Sequence, residues 1–211
     1  MISYSRDPQQ TIPESSVKII GLGGAGANIL DRATLDGLSG PEMTCVNTDL
    51  RTLSSSVAAE KIHLGKNLTK GLGAGGDPEL GARAAEEAEL ELRDALRGRQ
   101  LVFLCVGLGG GTGSGAAPLI ARIAREEGAF VVIFATMPFE FEGKIRNSQA
   151  HQGIEKFRKT VDSLVIINNN KLRDVYGNLG FKAGFSKADE VLSTAARGIA
   201  EVITHHYMQN I

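Results

Sequence analysis

At 211 residues with 42% hydrophobic side chains, the chain is long enough to close one substantial core and too short for two large domains. Its 23 basic and 24 acidic residues leave a net charge of −1, which excludes an overall field that would favour nucleic acid or an anionic membrane. The longest apolar stretch, residues 129–137, is far too short to span a bilayer and no apolar leader opens the chain, so a soluble cytoplasmic protein without direct membrane insertion is expected.

In chain order, residues 1–16 are polar, carry Pro8 and Pro13 and show no hydrophobic period, which reads as a flexible N-terminal tail ahead of a domain over 17–211. Runs rich in β-branched and aromatic residues follow at 17–20, 43–46, 101–106, 130–135 and 164–167, each predicting a strand. Cys45 and Cys105 lie inside two of these runs without Cys-x-x-Cys spacing, and so read as buried, reduced thiols. Between the strands the spacing is helical. The clearest helix is predicted over 78–97, where Pro78 suits the first turn, acids come early and arginines late, as the helix dipole favours. Strands alternating with helices imply parallel βαβ units, hence an α/β, doubly wound, mostly parallel sheet with helices on both faces. Ligands in such sheets bind at the carboxyl ends of the strands, so function is sought in the loops that follow them.

The first of those loops, Gly21-Leu-Gly23-Gly24-Ala-Gly26-Ala-Asn28, has the G-x-G-x-x-G spacing that brings backbone N–H groups and a helix N-terminus up to a phosphate. It suits a dinucleotide-binding fold equally well, and Asp49 stands near where that fold places its ribose-binding acid. An NAD(P)-dependent oxidoreductase is therefore one reading. The second loop, Gly107-Leu-Gly109-Gly110-Gly111-Thr112-Gly113-Ser114-Gly115, holds six glycines in nine residues between a strand and a helix expected from Ala116. A flexible linker is the bland interpretation, but its place between two packed elements favours an anion nest, with the Thr112 and Ser114 hydroxyls as added donors. No lysine stands where a P-loop has one, so neutral donors and a bound Mg²⁺ must balance the phosphate charge.

Gly110-Gly111-Thr112-Gly113-Ser114-Gly115 resembles the signature loop of the tubulin and FtsZ GTPases, and the resemblance, closest on the FtsZ side, runs over nearly the whole chain from Val17 onward. Three further segments carry it: Val46-Asn47-Thr48-Asp49, Thr69-Lys70-Gly71-Leu72-Gly73-Ala74-Gly75-Gly76-Asp77-Pro78, and Pro138-Phe139-Glu140-Phe141-Glu142-Gly143-Lys144. The family implies a Rossmann-like GTPase domain that binds GTP or GDP with Mg²⁺ and polymerises head-to-tail in cell division. It implies that Gly23, Gly24 and Asn28 hold the inner phosphates, that Ala74, Gly75 and Gly76 sense the terminal one, that Gly110, Gly111, Thr112 and Gly113 belong to the signature phosphate loop, and that Asn47 and Asp49 are further nucleotide-binding positions. Pro138, Glu142, Arg146 and Asn169 would then surround the ribose and base, Phe185 would stack on the purine, and Asp189 would accept from guanine N1–H and N2–H₂. The chemistry of that last contact is sound, because adenine presents an acceptor at N1 and would leave the carboxylate unpaired. Without the resemblance, Asp189 reads as an early-helix acid and Glu142 with Arg146 as a solvated pair.

The sequence departs from the family in places. Ala25 replaces a frequent glycine, Ser114 is the tubulin form of the loop, and Asn168 and Asn170 stand where proline and aspartate are common. The family's catalytic loop, Asn-x-Asp-x-x-Asp, would begin at Asn210 after a helix predicted from 188 to about 205, so neither of its aspartates is present and no catalytic residue is expected in this chain. His205 and His206, at the end of that helix, read as capping groups, and no metal site is predicted. The expected partners are other copies of the chain or longer FtsZ-like protomers, together with further division proteins, and not nucleic acid. A non-hydrolysing GTP-binding regulator of filaments is the alternative of a different class. The apolar spacing of Val191, Leu192, Ala195, Ile199, Val202 and Ile203 also predicts a partly uncovered helix face open to self-association.

Overall fold

The computed structural model describes residues 14–176 and 181–204. Its centre is a parallel sheet of β1 (Val17–Leu22), β2 (Glu42–Asn47), β3 (Glu60–His63), β4 (Leu101–Gly107), β5 (Phe130–Met137) and β6 (Ser163–Asn168), in the order β3-β2-β1-β4-β5-β6. The chain begins in the middle and winds outward first to one edge, then to the other. That reversal puts a topological switch point between β1 and β4, where the loops after two neighbouring strands part and leave a crevice.

Every residue of β1 is buried and β4 and β5 are nearly so, because both faces of the sheet are covered; this is why these strands read as continuous apolar runs. Side chains alternate between two cores. Leu101, Phe103 and Cys105 face α1 (Gly23–Leu35), α2 (Leu50–Ser55) and the long terminal α8 (Phe181–Thr204), whereas Val102, Leu104 and Val106 face α3 (Pro78–Glu87), α4 (Glu89–Leu96), α5 (Gly111–Glu126) and α6 (Lys144–Thr160). Both cysteines are buried free thiols, and burial pushes the Cys105 thiol up to about 12.

Several elements differ from the sequence expectation. The helix expected over 78–97 is two helices, parted at Ala88, although the local sequence contains no breaker. Tertiary packing sets the break: α3 lies with Gly81 against the backbone of α5, while α4 buries Leu92 and Leu96 in the core. Strand β3 was not predicted, since Glu-Lys-Ile-His buries only Ile62 and its edge position needs no more. Helix α7 (Asn169–Tyr176) follows β6 directly, and α8 starts at Phe181, seven residues ahead of its expected start at Ala188, so Phe185 is helical. Within α8, Leu192 is fully buried, Ala195 packs on the same core and Val191 is half-buried, so this part of the predicted open face is covered. The side chains of Ile199, Val202 and Ile203, like His205, His206 and Asn210, lie outside the described residues.

At the N-terminal edge of the sheet, away from the crevice, Lys18 is a buried lysine in an otherwise apolar strand. Its ammonium donates to Ala95 O at 2.9 Å and pairs with Glu60 at 2.5 Å. Burial works against ionising Glu60, but hydrogen bonds from Lys18 and Thr44 outweigh it and hold the carboxyl below its ordinary range. Just before β1, Glu14–Ser16 form a 3-10 turn whose last carbonyl accepts from Gln100 N.

Candidate functional site

The crevice at the switch point is a cleft of about 480 Å³, a size suited to a small-molecule ligand. Sixteen of the eighteen binding residues expected from the sequence line it; Ala74 and Gly75 do not. Ala74 is buried behind the wall, where its carbonyl accepts from Asp77 N. Gly75 and Gly76 have φ of +59° and +81° with open space where a Cβ would stand, so glycine serves the turn itself there. Thr48, Thr52, Gly73 and Thr136 also line the cleft and were not singled out, although Thr48 lies inside a segment whose neighbours were.

The floor is made by two helix starts. Helix α1 begins at Gly23 and α5 at Gly111, and neither has a side-chain cap, so the first N–H groups of both stay available. They meet closely: a Cβ on Gly23 would lie 3.4 Å from Thr112 Cβ and 3.5 Å from Gly113 N. Neighbouring α2 and α3 contrast with them, being capped by Asp49 and Asp77, whose carboxylates accept from Arg51 and Thr52 N and from Glu79 N. Two uncapped helix N-termini meeting at one cleft floor form an arrangement that favours a bound anion.

The glycine-rich segment after β4 is for the most part not a loop. Gly111 to Gly115 form the opening of α5, which starts five residues before the expected Ala116. Its glycines are explained by close helix packing, since a Cβ on Gly115 would fall 2.1 Å from Pro78 O, and one on Gly81 of α3 would fall 2.2 Å from Gly111 O. Ser114 also differs from expectation. Its hydroxyl faces inward and accepts from Gly109 N at 3.0 Å, bracing the strand-to-helix turn instead of facing a ligand. The hydroxyl that remains at the floor is Thr112, joined to Thr48 across the cleft at 2.7 Å.

Higher on the wall, Glu142 accepts from Phe139 N at 2.8 Å and pairs with Arg146 at 2.5 Å, one turn along α6. Arg146 is the only cationic side chain on the cleft wall among the described residues. Phe139, Phe141 and Phe185 form an aromatic corner, with Phe185 edge-on to Phe139 at 5.2 Å and 40% exposed, leaving ring surface for a ligand. Beside it, burial raises the Asp189 carboxyl to about 6, against the opposing pull of its hydrogen bond from Asn28. Asp49 shows the reverse, its carboxyl held below the ordinary range by backbone hydrogen bonds from Thr52 and then Arg51. Among the described residues, two buried polar atoms on the wall have no partner: Asn47 Nδ2, a donor, and Asn169 Oδ1, an acceptor. Such orphans are costly unless a ligand answers them.

Comparison with known proteins agrees with this geometry. Residues 16–177 match the family model described as Tubulin/FtsZ family, GTPase domain. Cell division protein FtsZ of Mycoplasmopsis pulmonis is 44% identical over 197 residues, covering 93% of this chain and 50% of the relative. Cell division protein FtsZ 1 of Methanocaldococcus jannaschii is 41% identical over 203 residues, covering 96% and 55%. A solved structure described as an empty FtsZ dimer from M. jannaschii superposes with a TM-score of 0.90 at 41% identity, over 96% of this chain and 59% of that one. The chain thus spans about half the length of the curated relatives it matches.

Proposed function

Because the chain belongs to the tubulin/FtsZ family through its GTPase domain, we propose that it binds GTP and GDP in the switch-point cleft, as the nucleotide-binding part of an FtsZ-like cytoplasmic cell-division GTPase. The observation that carries this reading is the pair of uncapped helix starts at Gly23 and Gly111 facing one another across the cleft floor. Phosphates would accept from their N–H groups. The aromatic corner and Asp189 lie at the other end, where a carboxylate meets both donors of guanine. The orphaned Asn47 and Asn169 atoms support a polar ligand along the cleft between them. A Mg²⁺ bound with GTP would be carried mainly by phosphate oxygens and water.

Binding and turnover are separate matters. Phosphoryl transfer to water needs a group that orients the nucleophile. Among the described residues, the acids of the cleft have other work: Asp49 caps α2 and is a weak base, Glu142 is paired with Arg146, and Asp189 stands beside the aromatic corner. We therefore assign the water-orienting role to a neighbouring protomer in a head-to-tail assembly, with self-association as the route to hydrolysis. The solved M. jannaschii relative is described as a dimer. Among the described residues no helix is long and apolar enough to cross a membrane. The test is calorimetry with GTP, ATP and NAD, together with phosphate release by the same protein. GTP should bind at least about tenfold more tightly than ATP or NAD, on the scale of one good base contact, and turnover per chain should fall as the protein is diluted. Equal affinities would remove the guanine assignment, and fast turnover at high dilution would remove the shared-site mechanism.

A further inference from the structure

A second concavity lies on the outward side of α5, between α3 and α6, and shares no lining residue with the nucleotide cleft. It encloses about 710 Å³. Pro118 and Leu119 form a floor that is only half-buried, an unusual exposure for apolar residues at the centre of a helix flanked by two others. The rim is cationic, with Arg122 and Arg125 of α5 and Lys156 and Lys159 of α6 set against Glu86 and Glu126. Glu126 is already engaged by Arg93 at 2.8 Å and by Arg122 at 3.1 Å, and Arg125 lies 3.5 Å from Asp162. No carboxylate among the described residues pairs with Lys156 or Lys159, which stand three residues apart and so share one face of α6. On a chain whose net charge is −1, this is a local excess of unanswered positive charge beside an apolar strip.

We propose that this groove docks an acidic amphipathic helix of a partner protein, its apolar stripe on Pro118 and Leu119 and its carboxylates toward Lys156 and Lys159. The dimensions suit that occupant. Residues 115–125 of α5 run for about 15 Å, or roughly three helical turns, and a helix laid in a groove presents apolar anchors at i, i+3 and i+4 with charge along one flank. The apolar floor and the interspersed Glu86 distinguish the surface from one shaped for a phosphate backbone. The groove and its charged rim are independent of which nucleotide the cleft holds.

The probe is a synthetic helical peptide of Glu-Leu-Ala-Glu repeats, titrated into the ¹⁵N-labelled full chain. Saturable shifts are expected at the amides of Ala82, Leu119 and Lys156. The double variant K156E/K159E should weaken binding by about tenfold or more, since it replaces attraction by repulsion at two exposed side chains without touching the core. The proposal is overturned by absent or non-saturable shifts, by unchanged affinity in the double variant, or by equal binding of Glu-Gln-Ala-Glu repeats, which would leave charge alone. A DNA duplex that shifts the same amides more strongly than the peptide would overturn it too.

Discussion

Asp189 and Lys18 are both charged groups in poor surroundings, and they differ in what their surroundings supply. Lys18 is fully partnered, so its role is structural. Lys18→Met should cost about 1 to 3 kcal/mol by chemical denaturation, less than for a wholly buried pair, because Glu60 and Glu42 are 43% and 51% exposed. With the Glu60 carboxyl held low, its contribution is present above the ordinary carboxylate range and lost as pH falls through the depressed value. The wild type should therefore lose more stability than Lys18→Met between about pH 5 and pH 3. Asp189 is raised to about 6, so the unliganded protein gains a proton there as pH falls, and only the ionised form accepts both guanine donors. GTP affinity should fall as pH drops through about 6, and Asp189→Asn should flatten that dependence in calorimetry; an unchanged pH profile would dissociate Asp189 from the base. Neither the Lys18 network nor the Asp189 shift was legible in the sequence. Each depends on long-range neighbours: Ala95 and Glu60 for Lys18, and Asn28 on a distant helix for Asp189.

At the scale of elements, the glycines divide by what a methyl group would meet. A Cβ on Gly24 meets nothing within 4 Å and one on Gly110 only Gly107 O at 3.9 Å, yet both residues line the cleft. A Cβ on Gly115 would strike Pro78 O. Gly24→Ala and Gly110→Ala should accordingly leave thermal stability within about 1 kcal/mol of wild type while weakening GTP binding, whereas Gly115→Ala should cost about 1 to 3 kcal/mol or more of stability by forcing α3 from α5. Loss of stability in the first pair with normal binding would reverse the assignment. The same division explains what the sequence told and withheld. Strands β1, β4 and β5 were readable because burial on both faces writes an unbroken apolar run, and β3 was not because one buried isoleucine leaves no period. Several glycines of 107–115 line the cleft, but the sequence alone does not distinguish glycine needed for a ligand from glycine needed by a packed helix. For Gly111, where a Cβ would stand 2.8 Å from the backbone of Asp77, the cap of α3, the partner is that helix start.

For the whole molecule, the sheet order concentrates function. Starting at the centre and reversing once, the fold brings the loop after β1 and the loop after β4 together, although some 80 residues separate them, and the later segments around Glu142, Asn169 and Asp189 close the same cleft. The sequence motifs named most of these residues, and the strand order explains why they meet. The proposed nucleotide is guanine-based, with its phosphates at the starts of α1 and α5 and its base at Phe185 and Asp189, not with a ribose on Asp49 as a dinucleotide-binding sheet would place it. The crystal structure of the GDP complex tests this most directly. Diphosphate oxygens within hydrogen-bonding reach of the Gly23 to Gly24 and Gly111 to Gly113 N–H groups, with the purine against Phe185 and its N1–H and N2–H₂ on Asp189, is the predicted result; a ribose hydrogen-bonded to Asp49 with the base away from Asp189 would contradict it.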